Sequence, residues 1–95
     1  MESDVELKTI RITVSGKVQG VWYRKYTQQK AKDLRLKGYV RNKGNGEVEC
    51  IATGIEEDLN ALVQWCKKGP PLALVKQCTV EEVSLIEFED FVIGT

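Results

Sequence analysis

The order in which hydrophobic periodicities change along the chain is the feature that most restricts its fold. Alternating apolar residues predict strands, whereas apolar residues three or four positions apart predict amphipathic helices. Here the two patterns succeed one another in the order β-α-β-β-α-β. In chain order, the predicted segments are a strand at 9–14, a helix at 23–34, strands at 39–42 and 47–53, a helix at 55–68 and a strand at 73–83.

This order predicts an α+β fold in which both helices cross back over one face of a single sheet. If both crossovers are right-handed, the result is a ferredoxin-like β-α-β-β-α-β plait, whose four-stranded antiparallel sheet has the order 4-1-3-2. Residues 88–93 are expected to form a short fifth strand or a docked tail. We expect a single domain over residues 1–95, with residues 1–6 as a flexible leader.

Three local patterns refine this prediction. Thr53-Gly54-Ile55-Glu56 resembles a capping box that opens the second helix. Asn45 and Gly46 accept positive φ readily, which is typical of a tight turn between the second and third strands. The alternation of the last long strand slips between Val75 and Cys78, and this slip predicts a bulge or a bend.

The composition excludes several classes of function. Lys+Arg 14 balances Asp+Glu 14, so no broad basic surface predicts binding to nucleic acid or to an acidic membrane. No apolar run has the length of a membrane helix and the acidic N-terminus is unlike a signal peptide, so we expect a cytoplasmic protein. The chain has no histidine and no CxxC, and we expect no metal and no cofactor. Cys50, Cys66 and Cys78 are expected to pack as small apolar side chains.

The segment between the first strand and the first helix has the composition of an anion site. It is Ser15-Gly16-Lys17-Val18-Gln19-Gly20-Val21-Trp22-Tyr23-Arg24. Its two glycines let backbone N–H groups turn toward one point, and the following helix adds unsatisfied N–H groups and its positive dipole end. Arg24 adds a planar charged fork that matches two phosphoryl oxygens. The loop fits neither the Walker pattern nor the dinucleotide pattern, so on its own it is equally compatible with a plain strand–helix connection.

The predicted topology brings a second polar residue to the same place. Strands 1 and 2 run in the same direction with only strand 3 between them, so their C-terminal ends share one edge of the sheet. The loop leaves the end of strand 1, and Asn42 lies at the end of strand 2, roughly 10 Å away. Asn42 could instead serve the hairpin, but Asn45 already fills that role. We therefore expect Asn42 to face whatever group the loop and Arg24 hold.

A site with a phosphate loop, an arginine and an amide, but with no evident acid or base, favours one class of substrate. Phosphoryl transfer through a loose transition state needs mainly positioning and charge stabilisation. A phosphate monoester expels a poor alkoxide leaving group. An acyl phosphate expels a carboxylate, whose conjugate acid has a pKa of about 4, so no general acid is required. The constellation therefore indicates hydrolysis of carboxyl–phosphate mixed anhydrides.

The same stretches resemble the acylphosphatase family. Residues 14–24 resemble the first signature of that family. Gly38-Tyr39-Val40-Arg41-Asn42, followed by Gly46-Glu47-Val48, resembles the second signature at matching spacing. Gly69-Pro70-Pro71 resembles a third recurring stretch, and the resemblance as a whole runs from about residue 7 to residue 91.

The resemblance implies a small metal-independent enzyme that hydrolyses acyl phosphates to carboxylate and inorganic phosphate. By position, Arg24 matches the phosphate-binding arginine of the family and Asn42 matches its water-orienting asparagine. In the usual account of the family, a phosphoryl oxygen of the substrate accepts the proton of the water. Gly16 is expected to shape the loop. The residues whose backbone would line the phosphate cradle are Gln19, Gly20, Val21, Trp22 and Tyr23.

The chain departs from the family pattern at two positions of interest. Tyr23 stands where the family usually has Phe or Met, and its hydroxyl would need a partner if buried. Leu74 occupies a position that is often basic in the family. Trp22 lies off the apolar stripe, and it is expected either to shape the acyl side of the pocket or to serve packing and surface roles.

Two other classes of function share this order of elements. RNA-binding modules place aromatic residues on strands 1 and 3, whereas strand 3 here presents Glu47 and Glu49. A regulatory or carrier domain would bind phosphoryl or carbamoyl groups without turnover. Because the chain begins and ends with the domain, we expect a free-standing enzyme. We also expect it to be a monomer. Its expected partner is a small-molecule acyl phosphate, with no nucleic acid and no membrane.

Overall fold

The computed structural model describes residues 6–94, so five of the six residues of the predicted leader lie outside it. Within the described residues the chain forms five strands and two helices, which confirms the predicted order and adds a fifth strand. In chain order the elements are β1 (Leu7–Lys17), α1 (Tyr23–Asp33), β2 (Lys37–Asn42), β3 (Val48–Ile55), α2 (Glu56–Lys68), β4 (Leu74–Val83) and β5 (Phe91–Ile93).

The five strands form one sheet in the order β4-β1-β3-β2-β5. β3 is antiparallel to both β1 and β2, so β1 and β2 run in the same direction, and β4 is antiparallel to β1. These pairings confirm the predicted order 4-1-3-2. The C-terminal segment forms a strand rather than a docked tail, because β5 pairs in parallel with β2. The Gly94 N–H extends this pairing by donating to the Val40 carbonyl at 2.8 Å.

The core lies between the sheet and the two helices. α1 packs over β2 and β5, and α2 packs over β1, β3 and β4. Tyr23, Thr27 and Ala31 form the buried stripe of α1, and Thr27 satisfies its hydroxyl by donating to the Tyr23 carbonyl at 2.7 Å. Each fully buried large apolar side chain contributes about 1.5–3 kcal/mol relative to exposure. This packing fixes the start of α1, and therefore the loop before it, against the sheet.

The predicted capping box at the start of α2 is wrong. The N-cap residue is Ile55, and among the described residues no side chain forms a capping hydrogen bond to this helix. Thr53 lies within β3 opposite Thr9, and its hydroxyl contacts that of Thr9 and donates to the Ile86 carbonyl at 2.7 Å. A long-range contact therefore takes the side chain that the local motif assigned to the helix. Three acidic residues in the first turn, at 56–58, complement the helix dipole instead.

The predicted bulge in the fourth strand is confirmed, and it lies beside Gly16. Ser15 pairs with Gln77 whereas Gly16 pairs with Val75, so β4 carries one extra residue, Lys76, at this point. Gly16 has φ of +121°, and a Cβ atom there would collide with the Leu74 carbonyl. This is a position that glycine alone tolerates without strain. The bulge sets the direction in which β1 enters the loop.

The three cysteines pack as predicted. Cys50 and Cys66 are buried in the core, Cys78 is half-buried against it, and all three are free thiols. Burial raises the pKa of Cys66 to about 12 and that of Cys50 well above its ordinary value. The two thiols are therefore protonated at neutral pH. Within residues 6–94, no helix is both long enough and apolar enough to cross a bilayer.

Candidate active site

The loop between β1 and α1 leads into a helix N-terminus whose backbone N–H groups are not capped by a side chain of residues 6–94. Gly20 has φ of +76°, and Trp22, the N-cap of α1, lies in the left-handed region with φ of 65° and ψ of 18°. The first turn of α1 contains no acidic residue, and no side chain in the described part of the chain caps its N-terminus. The first internal bond runs from the Tyr26 N–H to the Trp22 carbonyl at 3.0 Å. The preceding N–H groups are thus available to an anion.

Two buried valines and one glutamine hold this loop in place. Val18 and Val21 are buried in the core cluster. The Gln19 Nε2 amide donates to the carbonyl of Lys43 at 2.8 Å and to the carbonyl of Glu47 at 2.9 Å. These carbonyls belong to the turn between β2 and β3, which begins directly after Asn42. Gln19 therefore connects the loop to the hairpin that carries Asn42.

Tyr23 anchors the start of α1 to the end of α2. Its buried hydroxyl donates to the Cys66 carbonyl at 2.6 Å, and its ring lies 5.6 Å from that of Trp65. The Phe or Met that is usual at this position in the family has no hydroxyl, whereas the hydroxyl of Tyr23 must be satisfied when buried. The Cys66 carbonyl is its hydrogen-bond partner. Burial raises the pKa of Tyr23 far above its ordinary value near 10. Because the hydroxyl donates its hydrogen to the Cys66 carbonyl, we expect that the phenol does not act as a general acid.

The loop, α1 and β2 enclose a cleft of about 370 Å³. It lies at the C-terminal ends of β1 and β2, where the topology predicted a shared edge. No carboxylate within residues 6–94 lines it, whereas two cations do, so its charge is positive. The lining residues are Val18, Gly20, Trp22, Tyr23, Arg24, Lys25, Asn42 and Ile93.

Arg24 and Asn42 both line this cleft. Arg24 lies half-buried on the first turn of α1, and its Nη1 donates to the Gly94 carbonyl at 3.4 Å, which is a long contact. Asn42 ends β2 and is half-buried. Its Oδ1 atom is buried and has no hydrogen-bond partner among the described residues. A buried amide oxygen without a partner costs about 1–3 kcal/mol, so a ligand or a water is needed to satisfy it.

The structure brings together most of the residues that the sequence singled out. Arg24, Asn42 and three of the expected cradle residues line the cleft. Val21 and the side chain of Gln19 hold the loop from outside the cleft, and Gly16 lies within β1 at the bulge. Whether these groups bind phosphate remains a prediction.

Sequence reasoning missed three lining residues, namely Val18, Lys25 and Ile93. Lys25 could have been found, because it follows Arg24 on the same first turn of the predicted helix. Ile93 could not, because its place in the cleft depends on the parallel pairing of β5 with β2. Within the described residues, no three Asp, Glu or Cys side chains cluster in a way that could hold a metal ion.

Fold and cleft together define a class: small α+β plaits with a positively charged cleft at the loop between the first strand and the first helix. The sequence model of the family described as Acylphosphatase matches residues 10–93. An acylphosphatase from Methylococcus capsulatus is 44% identical over 88 residues, covering 92% of this chain and 96% of the relative.

Two solved structures have the same fold. An acylphosphatase from Coxiella burnetii has a TM-score of 0.90 at 39% identity, with 93% of each chain covered. An acylphosphatase from Bacillus subtilis has a TM-score of 0.89 at 36% identity, covering 95% of this chain and 100% of that one. The chain therefore belongs to the acylphosphatase family, as its signatures indicated. Proteins of this name are hydrolases that act on acid anhydrides.

Proposed function

We propose that this chain hydrolyses acyl phosphates to a carboxylate and inorganic phosphate, with Arg24 holding the phosphoryl group and Asn42 orienting the attacking water. One observation carries the assignment of roles. The Asn42 Oδ1 atom is buried and unpartnered among the described residues, and Asn42 is one of the residues that line the cleft together with Arg24 and the loop. The groups proposed to hold the anion and the residue whose amide oxygen lacks a hydrogen-bond donor thus line the same cleft.

The phosphoryl group is held by the backbone and by charge. The N–H groups at the start of α1, with the loop backbone at 19–23, donate to its oxygens, and the helix dipole favours the negative charge. Arg24 adds charge-assisted hydrogen bonds to two of these oxygens. Because these donors are fixed before substrate arrives, little reorganisation is needed as charge develops on the oxygens.

The water is positioned by Asn42. Its Oδ1 accepts a hydrogen bond from the water, which turns an oxygen lone pair toward phosphorus. Asn42 is no base, so the proton must go elsewhere, and a phosphoryl oxygen of the substrate accepts it. The P–O bond to the acyl group breaks as the water–phosphorus bond forms, and the carboxylate leaves with the electron pair. The products are the carboxylate and inorganic phosphate, so atoms and charge balance.

The cleft supports this chemistry by what its lining offers. Among the described residues, no carboxylate lines it, and the Tyr23 phenol, with its raised pKa, is bound to Cys66. Among the described residues, an alkoxide leaving group would find no carboxyl group in the lining to protonate it. A carboxylate leaving group needs none at neutral pH, because its conjugate acid has a pKa of about 4. The same lining therefore supports acyl phosphates over alkyl phosphates.

The proposal includes a small-molecule substrate, action as a monomer in the cytoplasm, and no nucleic-acid partner. A monomer suffices because one chain supplies every residue of the cleft. Three free thiols suit a reducing compartment. The charges on the uncovered face of the sheet are paired, since the Glu49 carboxylate forms salt bridges with two arginines. Its Oε1 lies 2.7 Å from the Nε of Arg41, and its Oε2 lies 3.5 Å from the Nε of Arg11. Tyr39 on this face packs against Phe88 instead of standing free to stack on a base.

The test is hydrolysis of benzoyl phosphate by the purified protein in EDTA, beside an Arg24→Ala variant. We expect turnover by the native protein and a loss of at least about 100-fold in kcat/KM in the variant. Binding of inorganic phosphate, measured by calorimetry, should weaken in parallel. Phosphate binding without any turnover by the native protein would contradict the proposal and favour a regulatory or carrier domain. Turnover that survives in Arg24→Ala would place the chemistry elsewhere.

A further inference from the structure

Trp22 lines the cleft but exposes 70% of its surface. We propose that its indole is the platform on which the acyl group of the substrate rests, so that the enzyme prefers flat, apolar acyl groups, such as aromatic ones, to small aliphatic ones. This inference rests on the proposed function. It concerns the side chain of Trp22, whereas phosphate binding uses the backbone of the same loop.

Packing does not account for Trp22. It takes part in neither aromatic pair of the described residues, which join Tyr23 to Trp65 and Tyr39 to Phe88. Trp65, the other tryptophan, packs against the core, whereas Trp22 stays largely in solvent. Trp22 also has the positive φ that Asn or Gly adopts more readily. An exposed indole at a strained backbone position contributes little to the stability of the fold, and this favours a role in contacting a ligand.

The position of Trp22 suits the acyl half of an acyl phosphate. Trp22 immediately precedes the helix N–H groups that are proposed to hold the phosphoryl oxygens, and the acyl carbon is only one bridging oxygen from phosphorus. Val18 and Ile93 line the same cleft, and Ile93 is 37% exposed. Once the polar groups of the cleft hold phosphate and water, these apolar side chains are what the acyl group meets. An aromatic ring gains both burial and stacking against an indole, whereas an acetyl group gains little of either.

The test compares kcat/KM for benzoyl phosphate and acetyl phosphate in the native protein and in Trp22→Asn. Asparagine removes the indole and still accepts a positive φ, so the loop backbone is preserved. We expect the benzoyl-to-acetyl ratio to fall about tenfold in Trp22→Asn, and Trp22→Phe to restore part of it. Competitive inhibition by inorganic phosphate should persist in both variants, which reports an intact cradle.

Tyr26→Ala is the matched control. Tyr26 is also an exposed aromatic residue, 50% exposed on α1, but it does not line the cleft. Its removal should leave the ratio unchanged. An equal loss on both substrates in Trp22→Asn would overturn the platform and make Trp22 a loop-shaping residue.

Two further outcomes separate this inference from the proposed function. Succinyl phosphate, whose acyl group carries a carboxylate, serves as a third substrate of the native protein. A preference for succinyl phosphate over benzoyl phosphate would also overturn the platform, and would indicate that Lys25 contacts the acyl group. If the native protein hydrolyses none of these substrates, the proposed function fails and not only the platform.

Discussion

Replacing Gln19 with methionine tests how the phosphate loop is held beside Asn42. Gln19 donates both hydrogens of its amide to the turn between β2 and β3, to the carbonyl of Lys43 at 2.8 Å and to that of Glu47 at 2.9 Å. Lys43 directly follows Asn42, so the amide fixes the distance between the loop that is proposed to bind phosphate and the strand end that is proposed to orient the water. Methionine has nearly the same length and flexibility but no donor.

The size of the effect depends on the hydrogen bonds that the Lys43 and Glu47 carbonyls retain in Gln19→Met. The Gly46 N–H still donates to the Lys43 carbonyl at 3.2 Å, and the Lys43 N–H still donates to the Glu47 carbonyl at 2.8 Å. Neither carbonyl is therefore left without a partner. The loss is that of two ordinary hydrogen bonds, or about 2 kcal/mol in the free energy of unfolding. If the whole of this coupling also positions the water, kcat falls by at most about 30-fold.

The assay measures kcat and KM for benzoyl phosphate, the inhibition constant of inorganic phosphate, and urea unfolding. We expect Gln19→Met to lower kcat about 10- to 30-fold and to change the inhibition constant little, because the loop N–H groups and Arg24 remain. Gln28→Met is the control, since Gln28 also donates to a backbone carbonyl, that of Phe91 at 3.0 Å. It should lose about 1 kcal/mol of stability at unchanged kcat. The reasoning is refuted if Gln19→Met loses the expected stability while kcat stays native.

Two further predictions concern the missing proton donor. An alkyl phosphate such as glycerol 3-phosphate should be hydrolysed at least about 10³-fold more slowly than benzoyl phosphate, because no carboxyl group of the described residues lines the cleft to protonate its alkoxide. Comparable rates would contradict the mechanism. Tyr23→Phe should lower the free energy of unfolding, measured in urea, by about 1 kcal/mol, because one hydrogen bond is lost. The pH profile of its kcat should match that of the native protein between about pH 6 and about pH 9. Burial raises the pKa of Tyr23, so the unfolded chain ionises at a lower pH than the folded one. The native protein should therefore lose its extra stability over Tyr23→Phe as the pH rises above about 10, where the tyrosine of the unfolded chain ionises. A titration near neutral pH that disappears in the phenylalanine variant would instead make Tyr23 an acid.

The fold could be predicted to the level of strand order because few topologies satisfy the alternation of patterns. Two right-handed crossovers leave a single arrangement of four strands, and the slipped alternation near Val75 marked the bulge. The capping box failed because Thr53 forms a long-range hydrogen bond to Ile86 that no local motif reveals. The place of β5 was also open, because a three-residue strand carries too little periodicity to choose an edge.

The candidate site could be predicted where it depends on strand direction, and not where it depends on packing. Arg24 and Asn42 follow from the shared edge of β1 and β2, and both line the cleft. The hydrogen bonds of Gln19 to the hairpin, and of Tyr23 to the end of α2, join residues more than twenty positions apart. Such contacts depend on the distance between packed elements, which periodicity does not report.

The most direct test of the account is Asn42→Ala, with kcat for benzoyl phosphate and the inhibition constant of inorganic phosphate measured on the same preparation. If Asn42 orients the water while the loop and Arg24 hold the phosphoryl group, kcat falls by about 10²- to 10³-fold and the inhibition constant stays close to native. If kcat stays close to native while phosphate inhibition weakens, Asn42 is a binding residue. The proposed division between phosphate binding and water orientation would then be wrong.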